Sequence, residues 1–141
     1  MYAGQRKLGI KHGCGIKYWP DGGIQVGFWD EGKTQGQGWY FTGSGDSYKG
    51  NFRDDKLHGF GIFMQEDGSK YEGNWENDMK NGYGKESTSD TSYEGDFLDN
   101  KRHGKGTYTW PDGTKYQGDW HLNDMSGYGV QTWPDGKRYD G

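Results

Sequence analysis

The sequence holds a single cysteine, Cys14, so no internal disulfide can form. Proline occurs only three times, each time in the tripeptide Pro-Asp-Gly, at Pro20, Pro111 and Pro134. Leu, Ile and Val are scarce and mean hydropathy is strongly negative, which excludes a thick aliphatic core. No apolar run approaches the roughly 18 residues that a membrane-spanning helix needs. A basic excess is missing too. The 17 Lys and Arg against 21 Asp and Glu leave a net charge of -4, with no basic footprint for nucleic acid. There is no signal-peptide pattern and no Asn-x-Ser/Thr sequon. These absences predict a cytosolic protein without a nucleic-acid partner.

Glycine and aromatic residues stand in for what is scarce. Gly makes up 28 of the 141 residues, and Trp, Tyr and Phe together 17%. Hydropathy alone would assign such a chain to disorder. Each buried ring, however, removes about 150–250 Å² from water. The apolar area for folding is present in rings, which predicts a thin core one layer deep.

Rings and glycines recur at a fixed spacing. The stretch from Tyr93 to Gly113, YEGDFLDNKRHGKGTYTWPDG, begins again 23 residues later at Tyr116 with YQGDW. A period of roughly 20–50 residues marks a repeat architecture. Units start at residues 2, 25, 48, 71, 93 and 116, and a seventh opens at Tyr139, so residues 1–141 read as one array. Three places depart from the pattern. Arg6 stands at an aromatic position, Gln25 replaces the leading Tyr of unit two, and unit four is one residue short, with Thr91 where the turn Gly belongs.

Alternation inside each unit predicts strands. The first is Tyr-x-Gly-x-Trp/Phe. A loop of about six residues follows, and the second strand starts at a Gly-x-Gly pair. Pro-Asp-Gly predicts a type I turn with Gly in the left-handed region. No segment has helical spacing of apolar residues. The predicted fold is all-β: an elongated, twisted, single-layer antiparallel meander of consecutive β-hairpins. About a dozen strands at about 4.8 Å each give a body on the order of 60 Å long.

On such a sheet the Tyr, the Gly and the Trp or Phe of the first strand share a face. Both glycines of Gly-x-Gly, such as Gly104 and Gly106, are placed beneath the rings. The face reads as an aromatic and glycine groove that packs the sheet and receives a partner segment, a helix or an extended peptide. Its candidate residues are Trp29, Tyr48, Phe52, Tyr71, Trp75, Tyr93, Phe97, Trp110, Tyr116, Trp120 and Trp133. On the opposite face Trp39, Phe41, Ile62 and Met64 predict an apolar patch, a second docking surface or a site covered by further sequence.

No residue set reads as catalytic. His12, His58 and His103 precede Gly-x-Gly in their units, and the nearest two lie two units apart, roughly 20 Å. Metal ligands must stand near 2 Å from one ion, so these read as turn residues, and Asp54-Asp55 as a solvated loop. Phosphate-loop, nucleophile-elbow and His-Glu-x-x-His motifs are absent. The expectation is no catalytic residue, no cofactor and no metal.

The quoted stretch, with Tyr-x-Gly-x-Trp/Phe, His-Gly-x-Gly and a closing Asp-Gly turn, resembles the MORN (membrane occupation and recognition nexus) repeat, and the resemblance spans the whole chain. It implies an elongated sheet of hairpins with an aromatic groove, and a non-catalytic protein-interaction scaffold in a cytoskeletal, ciliary or membrane-junction assembly. The family's groove aromatics fall on Tyr48, Phe52, Tyr71, Trp75, Tyr93, Phe97, Tyr116 and Trp120. It also implies two alternatives. One is a peripheral module on membrane lipid, which the alternating charges here support weakly. The other is a regulatory segment of a larger enzyme such as a lipid kinase. The array opens inside a unit at Tyr2 and closes at Tyr139-Asp140-Gly141 without a capping unit. This reads as a piece of a longer array, or of a larger protein, whose open edge strands pair end to end in a homodimer or capture a partner strand.

Overall fold

The computed structural model describes residues 1–141, and each unit folds as a hairpin. Unit one is β1 (Tyr2–Lys7) with β2 (Ile10–Tyr18). Unit two is β3 (Ile24–Asp30) with β4 (Lys33–Thr34) and β5 (Gly36–Phe41). Units three and four are β6 (Ser47–Arg53) with β7 (Lys56–Met64) and β8 (Lys70–Glu76) with β9 (Met79–Ser87). Units five and six are β10 (Ser92–Leu98) with β11 (Lys101–Thr109) and β12 (Lys115–His121) with β13 (Asp124–Thr132); β14 (Arg138–Asp140) follows. All belong to one open antiparallel sheet in which consecutive strands pair, except that β4 pairs β3 beside the main path. The all-β meander expected from the sequence is the fold. Its 14 strands exceed the expected dozen because Gln35 splits the second strand of unit two and β14 is added.

The loop within each unit is tighter than the sequence suggested. It is a two-residue turn with both residues left-handed: φ is 50° and 69° at Asp54 and Asp55, and 48° and 72° at Asp99 and Asn100. That is the type I′ hairpin geometry, and Asp and Asn tolerate it better than other side chains. The second strand therefore starts three residues before Gly-x-Gly, at Lys56, Met79, Lys101 and Asp124. A bulge absorbs the surplus. Pairing passes from Gly95↔Gly106 directly to Phe97↔Arg102, so Asp96 is skipped.

The bulge separates the two glycines of the pair. Gly104 has φ 86°, and a Cβ there would meet the side chain of Asp96, while one on Gly106 would meet the Tyr93 ring. Only the second glycine lies under a ring, which corrects the expectation for Gly104. His12, His58 and His103 also move, from turns into β2, β7 and β11.

Two further devices join the hairpins. At the junction turns Gly22 and Gly113 take φ 94° and 92°, as expected for Pro-Asp-Gly. The Thr114 N–H donates to Asp112 Oδ1 at 2.8 Å and holds that carboxyl below its ordinary range. The short junction closes through Thr88 N–H to the Thr91 carbonyl at 2.9 Å, so the sheet continues through Ser87↔Ser92. At the opposite edge the second residue of each hairpin turn clamps the previous unit. Asn100 donates its N–H to the Lys80 carbonyl at 3.0 Å and accepts the Lys80 N–H on Oδ1 at 2.8 Å. Asp55 with Thr34, Asp78 with Leu57 and Asn123 with Arg102 repeat this two-point contact.

Candidate functional site

A column of paired glycines crosses the sheet: Gly50, Gly61, Gly73, Gly84, Gly95, Gly106, Gly118 and Gly129 are cross-strand partners in turn. Bare backbone there lets each tyrosine ring lie flat across it. The hydroxyl then reaches the carbonyl of the residue skipped at the bulge. Tyr93 donates to Asp96 O at 2.8 Å, and Tyr2, Tyr48, Tyr71 and Tyr116 donate likewise at 2.7–3.1 Å. Burial holds Tyr48 and Tyr71 above the ordinary tyrosine range and pushes Tyr93 up to about 12.

From Phe52 to Trp120 the rings touch edge to face in an unbroken run. Centroids lie 5.7 Å apart for Tyr48–Trp75, 5.0 Å for Tyr71–Trp75, 5.1 Å for Tyr71–Phe97 and 5.2 Å for Tyr93–Trp120. Such pairs add about 0.5–1.5 kcal/mol each beyond area burial. Trp75 and Trp120 also donate Nε1–H to Gly61 O and Gly106 O, at 3.3 and 3.2 Å.

This ladder is the core. Of the eleven candidate groove residues, Trp29, Tyr48, Phe52, Tyr71, Trp75, Tyr93, Phe97, Tyr116 and Trp120 are each no more than 8% exposed. Trp110 is half-buried against Tyr108, and Trp133 is 36% exposed beside it. The accessible lining of the groove face comes instead from a second tier, which the sequence did not single out. Tyr40, Leu57, Phe63 and Tyr108 are half-buried and pack on the ladder.

The second tier changes character along the array. In unit four it is polar, and in unit five Arg102 shares it with Tyr108. Lys80 Nζ sits 5.1 Å from the Tyr71 centroid, and Arg102 Cζ 5.4 Å from Tyr93 and 5.5 Å from Trp120. Glu86 bridges both cations, at 2.8 Å to Lys80 and 3.4 Å to Arg102. In units two and three the tier is apolar and surrounds a pocket of about 330 Å³ lined by Trp19, Tyr40, Leu57 and Phe63 above Trp29, Tyr48 and Phe52.

The opposite face divides at the same point. Trp39, Phe41 and Met64 are exposed and Ile62 half-buried, and Phe28 and Phe60 extend that patch. From unit four on this face carries charge, with Tyr83 donating to Glu94 and Lys105 paired to Asp119. No three His, Cys, Asp or Glu residues converge anywhere. His12 Nδ1 lies 3.4 Å from the Asp30 carboxylate, and the Nδ1 atoms of His58 and His103 are buried without a partner.

An open row of hairpins, each packed mainly on its neighbours over one file of rings, defines a repeat-array protein. The MORN-repeat family model matches residues 2–24, 26–47, 48–70, 71–92, 93–115 and 116–138, and the chain belongs to that family. Among solved structures it is similar to the TCP domain of SAS-4 (dCPAP) of Drosophila melanogaster, solved in complex with a proline-rich motif of Ana2 (dSTIL). Identity is 14% and the TM-score 0.41, over 92% of this chain and 83% of that one. No curated protein matches the chain.

Proposed function

We propose that this array is a non-catalytic protein-interaction scaffold that holds a partner helix or extended peptide along its groove face. One observation carries the reading: the apolar side chains of Trp19, Tyr40, Leu57 and Phe63 line an open pocket over the buried rings of Trp29, Tyr48 and Phe52. Accessible rings that flank a pocket are the kind of anchor that dominates binding energy. The site of action proposed with it is a cytoplasmic cytoskeletal, ciliary or membrane-junction assembly, where members of this repeat family act. The test is photo-crosslinking with a benzoylphenylalanine probe at Phe63 on the groove face and, separately, at Phe60 on the opposite face. The groove reading expects a partner crosslink from Phe63 alone. A crosslink from Phe60 alone refutes it.

A second reading, association with anionic membrane, draws on unit one. Arg6 and Lys11 gather over the Tyr2 ring at 5.0 and 5.6 Å, and Lys17 sits over Trp19 at 3.8 Å. Burial, together with Lys17 and Arg6 nearby, lowers the Lys11 pKa. Near an anionic surface each such cation gains about 1 kcal/mol. Sedimentation with phosphatidylserine vesicles at physiological salt separates the two readings.

A further inference from the structure

The ladder is interrupted once. In unit two its tyrosine is replaced by Gln25, 6% exposed, and the ring run restarts only at Phe52. The shorter side chain leaves the pocket of about 330 Å³ whose walls include Trp19, Trp29, Tyr40, Tyr48, Phe52 and Phe63. We propose that this pocket takes the cationic head of an Arg or Lys side chain from the partner segment. The inference rests on the groove reading above and deepens it.

The array supplies its own precedent. One position of the second strand, two residues past the hairpin turn, is a cation over the ladder rings in units one, four and five. Lys11 covers Tyr2, Lys80 covers Tyr71 and Phe97, and Arg102 covers Tyr93 and Trp120. In units two and three Thr34 and Leu57 hold that position, so of the rings around the pocket only Trp19 has a cation over it, Lys17. The electron-rich faces of rings attract cations, more strongly where water is excluded.

Charge at the rim agrees. Asp55 and Asp78 line the pocket, and each engages Oδ1 in the clamp to Thr34 or Leu57. Neither forms an ion pair, so Oδ2 of each can meet an incoming cation. In unit four the carboxylate of Glu86 plays that part for Lys80 and Arg102. Lys17 also lines the pocket, with Nζ 3.8 Å from the Trp19 centroid.

The experiment is an NMR titration of the intact chain with three probes: the N-acetyl methylamides of arginine, lysine and norleucine. Arginine and lysine should shift the Trp19 and Trp29 indole signals saturably, and norleucine, which lacks the charge, should bind at least tenfold more weakly. Gln25→Tyr restores the ring that five other units carry and should abolish the shifts. Asp55→Asn with Asp78→Asn should weaken arginine at least fivefold while keeping the clamp, because Asn100 and Asn123 form it in their own units. Equal binding of norleucine, undiminished arginine binding in Gln25→Tyr, or no saturable shift in the native chain overturns the inference. A partner that still crosslinks at Phe63 in that event leaves the groove reading standing, whereas one that crosslinks only at Phe60 removes both.

Discussion

A single methyl group at Gly106 tests the ladder most sharply. A Cβ there would meet the Oη, Cζ and Cε2 atoms of Tyr93, the last at 2.5 Å. The ring must leave. It then gives up its hydrogen bond to Asp96 O, about 1 kcal/mol, and its edge contacts with Phe97 and Trp120, centroids 5.1 and 5.2 Å away, about 0.5–1.5 kcal/mol each. Re-exposing the ring adds about 1.5–3 kcal/mol. Gly106→Ala should therefore cost about 3.5–7 kcal/mol, read from urea unfolding followed by circular dichroism. A double-mutant cycle isolates the cause. With Tyr93→Ala already in place the methyl meets no ring, and the stiffer backbone of Ala should make Gly106→Ala neutral or slightly stabilising, by about 0.4–1 kcal/mol. Equal costs of Gly106→Ala in the two backgrounds would refute the reasoning.

Asn100→Ala removes the side-chain half of the clamp on Lys80 and puts a residue without local hydrogen bonding at φ 72°, so it should cost about 1–3 kcal/mol. Asn100→Asp should retain most of that stability, as Asp55 and Asp78 do at their turns. Trp75→Phe should cost only about 1 kcal/mol, the bond to Gly61 O, because Phe52 and Phe97 fill the same ladder position; Trp75→Ala should cost about 3–5 kcal/mol. Alkali should unfold the chain through its tyrosines. Their raised folded-state values favour the neutral hydroxyl, so this contribution is complete below about pH 10 and is lost as the pH climbs through about 12 for Tyr93. Urea midpoints from about pH 8 to pH 12 should be level and then fall, and a steady midpoint through that upper range would contradict the burial assigned to these rings.

Much of the fold is legible in the residues. The 23-residue period fixes the number of hairpins, and the alternation of Tyr, Gly and Trp or Phe assigns a face. The bulge is harder to see. Gly-x-Gly looks like two equal glycines under rings, whereas Gly59 and Gly104 serve a left-handed backbone at the bulge and only Gly61 and Gly106 serve a ring. The signal was present at the other end of the loop. Asp54-Asp55, Asn77-Asp78 and Asp99-Asn100 are the residues a two-residue type I′ turn prefers, and such a turn forces the second strand to begin early. The inter-unit clamp of Asp55, Asp78, Asn100 and Asn123 was not foreseen, because it joins residues about 20 apart that only the stacked hairpins bring together.

The candidate site was legible in part. Alternation identifies the groove face but not which tier stays accessible. Tyr48 and Trp75 bury one another, so alanine at Trp75 and Trp120 would damage the sheet before it reported on binding. The accessible tier sits on the second strands, at Tyr40, Phe63 and Tyr108, opposite Gln25 or Tyr48, Tyr48 or Tyr71, and Tyr93 or Tyr116 in the register. That register depends on the bulge, which is why the sequence alone did not expose it.

The central claim is that a partner segment seats on the second tier of units two and three. The direct measurement is the dissociation constant of the segment crosslinked at Phe63, by calorimetry, for Tyr40→Ser with Phe63→Leu and for Trp39→Ser with Phe60→Ser, each variant confirmed as sheet by circular dichroism. The account predicts at least tenfold weaker binding for the groove-face pair and no change for the opposite-face pair. Unchanged affinity in the groove-face pair, with loss in the other, would contradict it.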